Sequence, residues 1–179
     1  MLAPRDTLWQ AHPLLVDAAL SLLGVGAGHV LADFGCGDGP ALFAAAARGA
    51  RAVGWEIHVE RAGALRAEVS RRGLDDAITV VAGNALDAVF APPGAPTHVY
   101  MYLIARGLRL MLPVLRRLAA LQPGGVLPVV TLLYSFGKGI PAVASQKVDT
   151  SPIARTPIFL YHITAASGEG EGGEEGGEV

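Results

Sequence analysis

The sequence predicts an α/β domain built on a mostly parallel sheet, and three observations carry that prediction. Short apolar runs bounded by glycine and proline alternate with longer segments of helical period, the pattern of strand–helix–strand units joined by right-handed crossovers. The run Val30-Leu31-Ala32 leads into Asp33-Phe34-Gly35-Cys36-Gly37-Asp38-Gly39, where three glycines alternate over five positions behind an acid. A second acid, Glu56, closes the next apolar run about 20 residues past the turn. From that place a carboxylate can accept hydrogen bonds from ribose hydroxyls in nucleotide-binding sheets.

Each element has its own local reason. Leu14 to Leu23 sets Leu14, Leu15, Ala18, Ala19 and Leu22 at helical spacing, and Gly24, Gly26 and Gly28 end it. His29 to Phe34 is the first predicted strand. The glycine turn after it lacks Cβ atoms, so a ligand can approach the backbone closely. Pro40 suits the first position of a helix running to about Arg48, because its missing N–H costs nothing there. Arg51 to Trp55, closed by Glu56, is the second strand, and Val59 to Arg72 a polar-faced helix ending before Gly73. Ala77 to Val81 is the third strand, followed by Gly83-Asn84-Ala85-Leu86-Asp87. Ala91 to Pro96 is a loop by composition. Thr97 to Leu103 is the fourth strand. Leu108 to Leu121 is a helix in which Pro113 marks a kink or an early turn. Pro123-Gly124-Gly125 turns the chain into a buried strand, Val126 to Tyr134. Ala142 to Val148 and Pro157 to Ile163 are two further strands. One domain over residues 1–167 accounts for all of these. Residues 168–179 are glycine and glutamate with only Val179 to bury, which predicts a disordered tail.

Composition narrows the function classes. The chain is 51% hydrophobic and 17% charged, enough apolar material for a sizeable core. A net charge of −2 predicts no bulk attraction to nucleic acid. Cys36 is the only cysteine, so no internal disulfide forms. Its place inside the glycine turn marks it as a small residue beside a ligand rather than a nucleophile. His12, His29, His58, His98 and His162 show no metal-ligand spacing, so no metal site is predicted. Met1 to Asp6 lacks the pattern of a secretory signal, and the apolar stretch Leu118 to Tyr134 is interrupted by Gln122-Pro123-Gly124-Gly125. The expectation is a soluble intracellular protein, cytoplasmic by default with a mitochondrial location left open. Oligomeric state is not legible.

The glycine spacing separates two cofactor classes. A dinucleotide turn reads G-x-G-x-x-G, whereas here the third glycine comes one residue early at Gly39 and Pro40 holds the expected position. The resulting acid-x-G-x-G-x-G resembles motif I of the class I S-adenosylmethionine (SAM) methyltransferases. That resemblance spans about residues 11 to 164. It implies a Rossmann-like, mostly parallel sheet with helices on both faces and a closing antiparallel strand pair. It also implies SAM as the cofactor. Asp33, Gly35, Cys36, Gly37 and Gly39 then form the cofactor turn, and Glu56 matches the ribose-binding acid. Gly83-Asn84-Ala85 looks like the step after strand three, where the family's acid contacts the adenine amine. Asn84 replaces that acid with an amide oxygen able to accept the same bond.

Within the class, the chain is similar to a smaller group of protein-lysine methyltransferases acting on the ATP synthase c-subunit and the adenine nucleotide translocator, with short bacterial relatives. The matching segments are Trp9 to Val16, Tyr100-Met101-Tyr102-Leu103-Ile104 leading into Leu108 to Leu115, and Ile158-Phe159-Leu160-Tyr161. The eukaryotic members carry a membrane-targeting N-terminal segment that these residues do not show. This resemblance implies a protein-lysine N-methyltransferase with a protein substrate. Alignment is the main task of such an enzyme, worth roughly 7–11 kcal/mol at best. Tyr100 and Tyr102 are two apart on the fourth strand and so share a face. They are the candidate catalytic residues if that face lines an amine channel, and core residues if it packs under a helix. Base-amine methylation is disfavoured, because Leu103-Ile104-Ala105-Arg106 stands where such enzymes carry an Asp/Asn-Pro-Pro-Tyr/Phe motif. A small-molecule methyltransferase, a non-catalytic SAM- or nucleotide-binding module and an NAD-dependent oxidoreductase remain as alternatives.

Overall fold

The computed structural model describes residues 10–91, 94–151 and 154–165. The predicted tail 168–179, the N-terminal Met1 to Asp6, Trp9 and the Pro92-Pro93 step lie outside them. The chain forms α1 (Pro13–Leu23), β1 (Val30–Phe34), α2 (Pro40–Ala47), β2 (Arg51–Glu56), α3 (Val59–Arg71) and β3 (Ile78–Ala82). A short 3-10 turn (Ala85–Asp87), β4 (His98–Met101), α4 (Ala105–Ala120), β5 (Val126–Leu132), β6 (Ala144–Ser151) and β7 (Ala154–Thr164) follow.

The seven strands form one sheet in the order β3-β2-β1-β4-β5-β7-β6. The first five run parallel, and β7 pairs antiparallel with both β5 and β6. The predicted fold class is therefore the observed one. Register places Phe34 opposite Trp55 and Glu56 opposite Ala82, so the carboxyl ends of β1, β2 and β3 lie side by side.

Helices cover both faces. On one, α1 buries Leu15, Val16, Ala19, Leu20 and Leu23, α2 buries Ala41, Leu42 and Ala45, and α3 buries Ala62, Leu65 and Val69. The alanines of α2 let it approach β2 closely. A Cβ on Gly54 would stand 2.6 Å from both Leu42 Cδ1 and Cys36 Sγ, so only glycine fits that strand position. On the other face α4 buries Leu108, Met111, Val114, Leu115, Leu118 and Ala119, spaced for one helical stripe. Phe34, Trp55 and Phe90 extend this second core, with ring centroids 5.0 to 6.2 Å apart. Among the described residues no helix is long and apolar enough to cross a membrane.

Several boundaries differ from those predicted, each for a physical reason. The predicted helix start at Leu108 moves back to Ala105, with Ile104 as N-cap and the Leu108 N–H bonded to the Ile104 carbonyl at 3.1 Å. Apolar periodicity could not mark this first turn, because Ala105-Arg106-Gly107 carries no large apolar side chain. Pro113 accordingly lies well inside α4, on its exposed side, where the carbonyl it leaves unpaired can be hydrated. The predicted strand Thr97 to Leu103 shortens to His98–Met101, which leaves Tyr102 just beyond the strand. The predicted strand Val126 to Tyr134 stops at Leu132, because Leu133 takes a left-handed φ of 66° and the Tyr134 N–H bonds back to the Leu132 carbonyl at 2.7 Å. This three-residue turn is uncommon for a leucine and costs on the order of 1–2 kcal/mol. The Thr131 hydroxyl fastens it by donating to the Tyr134 carbonyl at 2.7 Å.

Candidate cofactor and acceptor site

The site forms where β1, β2, β3 and β4 end. Past Phe34 the chain turns on Gly35, Gly37 and Gly39, with φ of 95°, 55° and 76°, a left-handed region that side chains disfavour. The turn is fastened to its neighbour: the Gly35 and Cys36 N–H groups both donate to the Trp55 carbonyl, at 2.9 and 3.0 Å. Gly39 caps α2, and a Cβ there would meet Leu65 Cδ1 at 2.8 Å. The alternating glycines are thus required by the backbone before any ligand is considered.

Glu56 is buried at the end of β2 and faces this turn. Its Oε2 accepts from the Gly37 N–H at 3.1 Å, and its Oε1 from the His58 N–H at 2.9 Å. The Arg61 guanidinium stands 3.7 Å from Oε1. Asp33 is buried beside it, and among the described residues no hydrogen bond reaches its carboxyl group. Burial first, and the Glu56 charge second, push the Asp33 carboxyl up to about 8. The same burial, with Asp33 and Glu56 adding to it, raises the Cys36 thiol far above its ordinary range. Cys36 is a protonated core residue packed against Gly54.

Tyr100 and Tyr102 line one pocket together with Asp33, Gly35 and Gly37. The structure combines the two readings of the tyrosine pair. Tyr100 belongs to the core under the first helical layer, yet the residue also lines the pocket, and its hydroxyl is buried without a hydrogen-bond partner among the described residues. Tyr102 is half-buried. Burial and then Asp33 raise the Tyr100 phenol, and burial and then Tyr134 raise that of Tyr102. Both are therefore neutral phenols.

Asn84 lies past β3, where its Oδ1 accepts from the Leu86 N–H at 3.1 Å and caps the 3-10 turn that begins at Ala85. One lone pair of that oxygen is therefore already engaged, leaving the second and the amide N–H groups. Adjacent strands lie about 4.8 Å apart, so the glycine turn, Glu56 and Asn84 span roughly 10 Å of sheet edge.

Sequence reasoning missed several residues here. Gln10 and Ala11, ahead of α1, close the pocket from the side, and Gln10 donates its side-chain amide to Asp38. They fall inside the matching segment Trp9 to Val16, but nothing in it assigns them to the site. His58 and Arg61 hold Glu56, and their only signal is nearness in sequence. Tyr134 comes toward Tyr102 through the left-handed turn at Leu133, which nothing in the local sequence announces. Among the described residues no three His, Cys, Asp or Glu side chains converge as a metal site.

No protein-family model matches the chain, and no curated protein matches it. Solved structures do. An RNA methyltransferase from Salinibacter ruber in complex with S-adenosyl-L-homocysteine is 24% identical with a TM-score of 0.75, the match covering 90% of this chain and 97% of that one. A SAM-dependent methyltransferase from Aquifex aeolicus is 13% identical with a TM-score of 0.65, covering 86% and 92%. A geranyl diphosphate methyltransferase in complex with SAM is 16% identical with a TM-score of 0.61, covering 86% and 87%. The strand order, the glycine turn under the ends of β1 and β2 and these likenesses agree: the chain has the fold of the SAM-dependent methyltransferases.

Proposed function

We propose that this protein is a SAM-dependent methyltransferase that transfers the methyl group to an amine. The observation that carries the reading is the pairing of the left-handed glycine turn with the buried acids Asp33 and Glu56 and the Tyr100 hydroxyl, which has no partner among the described residues. Those groups fit the cofactor's chemistry. A turn without Cβ atoms admits its backbone, two carboxyl groups suit its cationic methionine end and ribose hydroxyls, and an orphan hydroxyl awaits a polar partner. On this reading Asp33, Gly35, Cys36, Gly37 and Gly39 hold the methionine end, Glu56 the ribose, and Asn84 and Ala85 the adenine.

Bound SAM supplies a sulfonium-borne methyl group open to attack by an amine lone pair. Tyr100 and Tyr102 border the acceptor side, exclude water and orient the incoming amine. An ammonium acceptor must first lose a proton. Neither tyrosine takes it, because burial keeps both phenols protonated, so the proton leaves to solvent.

The finer reading is a protein lysine as acceptor, supported by the resemblance over Trp9 to Val16 and Tyr100 to Leu115. RNA is the second reading. It is favoured by the arginines of α4, which form no ion pair among the described residues, and by the name of the Salinibacter ruber protein. The catalytic unit is residues 1–167, with 168–179 a tail outside it.

Two measurements test this. Calorimetry should find SAM binding and no NAD binding; NAD binding without SAM binding overturns the reading. Methyl transfer from labelled SAM into a cell lysate should then label protein if the lysine reading holds. Label confined to RNA, DNA or small molecules rejects that acceptor. SAM binding with no turnover on any acceptor leaves a binding module.

A further inference from the structure

The surface of α4 facing away from the sheet carries Arg106, Arg109, Arg116 and Arg117, all exposed. At 100° per residue these four fall within one stripe, opposite the buried row Leu108, Met111, Val114, Leu115 and Leu118. The helix contains no acid, and among the described residues none of the four arginines forms an ion pair. Of the elements packed most closely against α4, namely the 3-10 turn, β5 and β7, only the 3-10 turn carries an acid, Asp87. Lys138 adds an exposed cation on the link after β5, whose Phe136 and Ile140 pack into the same core as α4.

The net charge of −2 conceals this face. Five of the sixteen acids are Glu169, Glu171, Glu174, Glu175 and Glu178, so residues 1–167 hold fourteen cations against eleven acids. The absence of a basic excess, which predicted no nucleic-acid partner, comes from residues 168–179 and not from residues 1–167.

We propose that this arginine face of α4 docks the phosphate backbone of a nucleic acid and leads it to the site. The proposal rests on the methyltransferase reading and develops its second acceptor, RNA, in place of the protein lysine. The stripe begins at the site: α4 starts three residues after Tyr102, so Arg106 and Arg109 stand at the carboxyl edge of the sheet. Arg116 and Arg117 lie toward the opposite edge. From Arg106 to Arg117 the helix rises about 16 Å, the axial length of roughly five phosphates on one duplex strand. Guanidinium groups bind phosphate oxygens in pairs, and a backbone with a charge on every nucleotide suits a row of them with no acid between. An acidic peptide would need an apolar anchor, and α4 offers only the exposed edge of Leu110.

The test measures binding of the full chain to a 20-base-pair RNA hairpin, a DNA duplex of equal length and polyglutamate of equal charge. Four phosphate contacts predict a log K versus log salt slope of roughly −3 to −4, or a roughly 60- to 250-fold loss of affinity between 50 and 200 mM salt. Each single Arg→Gln change in α4 should reduce the slope by about one. The quadruple Arg→Gln variant should lose binding, while the quadruple Arg→Lys variant keeps the slope and so excludes misfolding as the cause. Tighter binding of RNA than of DNA identifies the RNA backbone, and the reverse identifies DNA. Polyglutamate binding as tightly as either, wild-type RNA affinity in the quadruple Gln variant, or no binding at 50 mM salt overturns the proposal. SAM calorimetry on the same samples separates the two readings: lost SAM binding with intact RNA binding removes the methyltransferase, and the reverse removes only the docking face.

Discussion

Asp33→Asn is expected to stabilise the free protein while weakening its hold on SAM. Asp33 is buried beside Glu56, and its carboxyl is pushed from 3.8 up to about 8, by burial first and the Glu56 charge second. A raised carboxyl means that the native state keeps a proton the unfolded chain releases. The contribution to stability is therefore present in full below about 3.8 and is lost as pH rises through about 8. At 1.36 kcal/mol per unit, the cost at pH 7 reaches on the order of 4 kcal/mol, and the effective dielectric of a buried site, well above that of a dry interior, brings it to roughly half that. Asparagine has nearly the same shape and does not titrate. Relief of about 2 kcal/mol corresponds to roughly 4–8 °C in melting temperature for a chain of this size. The assay is thermal unfolding of both proteins at pH 5 and pH 8, with and without SAM. The gap in melting temperature should widen from pH 5 to pH 8, and SAM should raise the melting temperature of wild type more than that of the variant. A variant that melts below wild type at pH 8, or a gap that does not change with pH, refutes the electrostatic argument. Equal SAM-induced shifts refute the assignment of Asp33 to the cofactor.

Four other outcomes follow from the geometry. Gly37→Val should abolish SAM binding, since its φ of 55° and its place in the turn exclude a branched side chain; Glu56→Ala should weaken binding by about 1–3 kcal/mol. Unchanged calorimetric affinity in both, with circular dichroism intact, removes the assigned site. Gly54→Ala should destabilise by about 1–3 kcal/mol, because its Cβ would lie 2.6 Å from Cys36 Sγ and Leu42 Cδ1, and Cys36→Gly in the same chain should recover part of that loss in a denaturant titration. His98 stacks on His29 with centroids 4.2 Å apart, and burial first and His29 second hold it down to about 4. The native state thus stays neutral while the unfolded chain takes up a proton. Stability should fall as pH drops from about 6.5 toward 4, and His98→Gln should flatten that limb of the pH–stability curve.

Much of the fold was legible because its signals are local. Alternating apolar runs and helical stripes need only the residues of one segment to be read. The acid-x-G-x-G-x-G turn likewise declares a backbone that side chains disfavour, as the left-handed angles of Gly35, Gly37 and Gly39 bear out. Glu56 could be placed because a strand end is a local event and β2 lies beside β1. The tertiary structure decided what depends on distance between segments. Gly54 reads as an ordinary strand glycine until Cys36 and Leu42 close over it. Asp33 reads as one acid of a motif until packing buries it and parallel pairing sets Glu56 beside it, which together push its carboxyl up to about 8. Strand periodicity predicts one face for Tyr100 and Tyr102, but the strand ends at Met101, and only packing left the Tyr100 hydroxyl buried without a partner among the described residues. Tyr134 comes toward Tyr102 because a single leucine leaves the strand in a left-handed turn. Each of these is set by the energy of contact between elements far apart in sequence, which no local pattern of residues encodes.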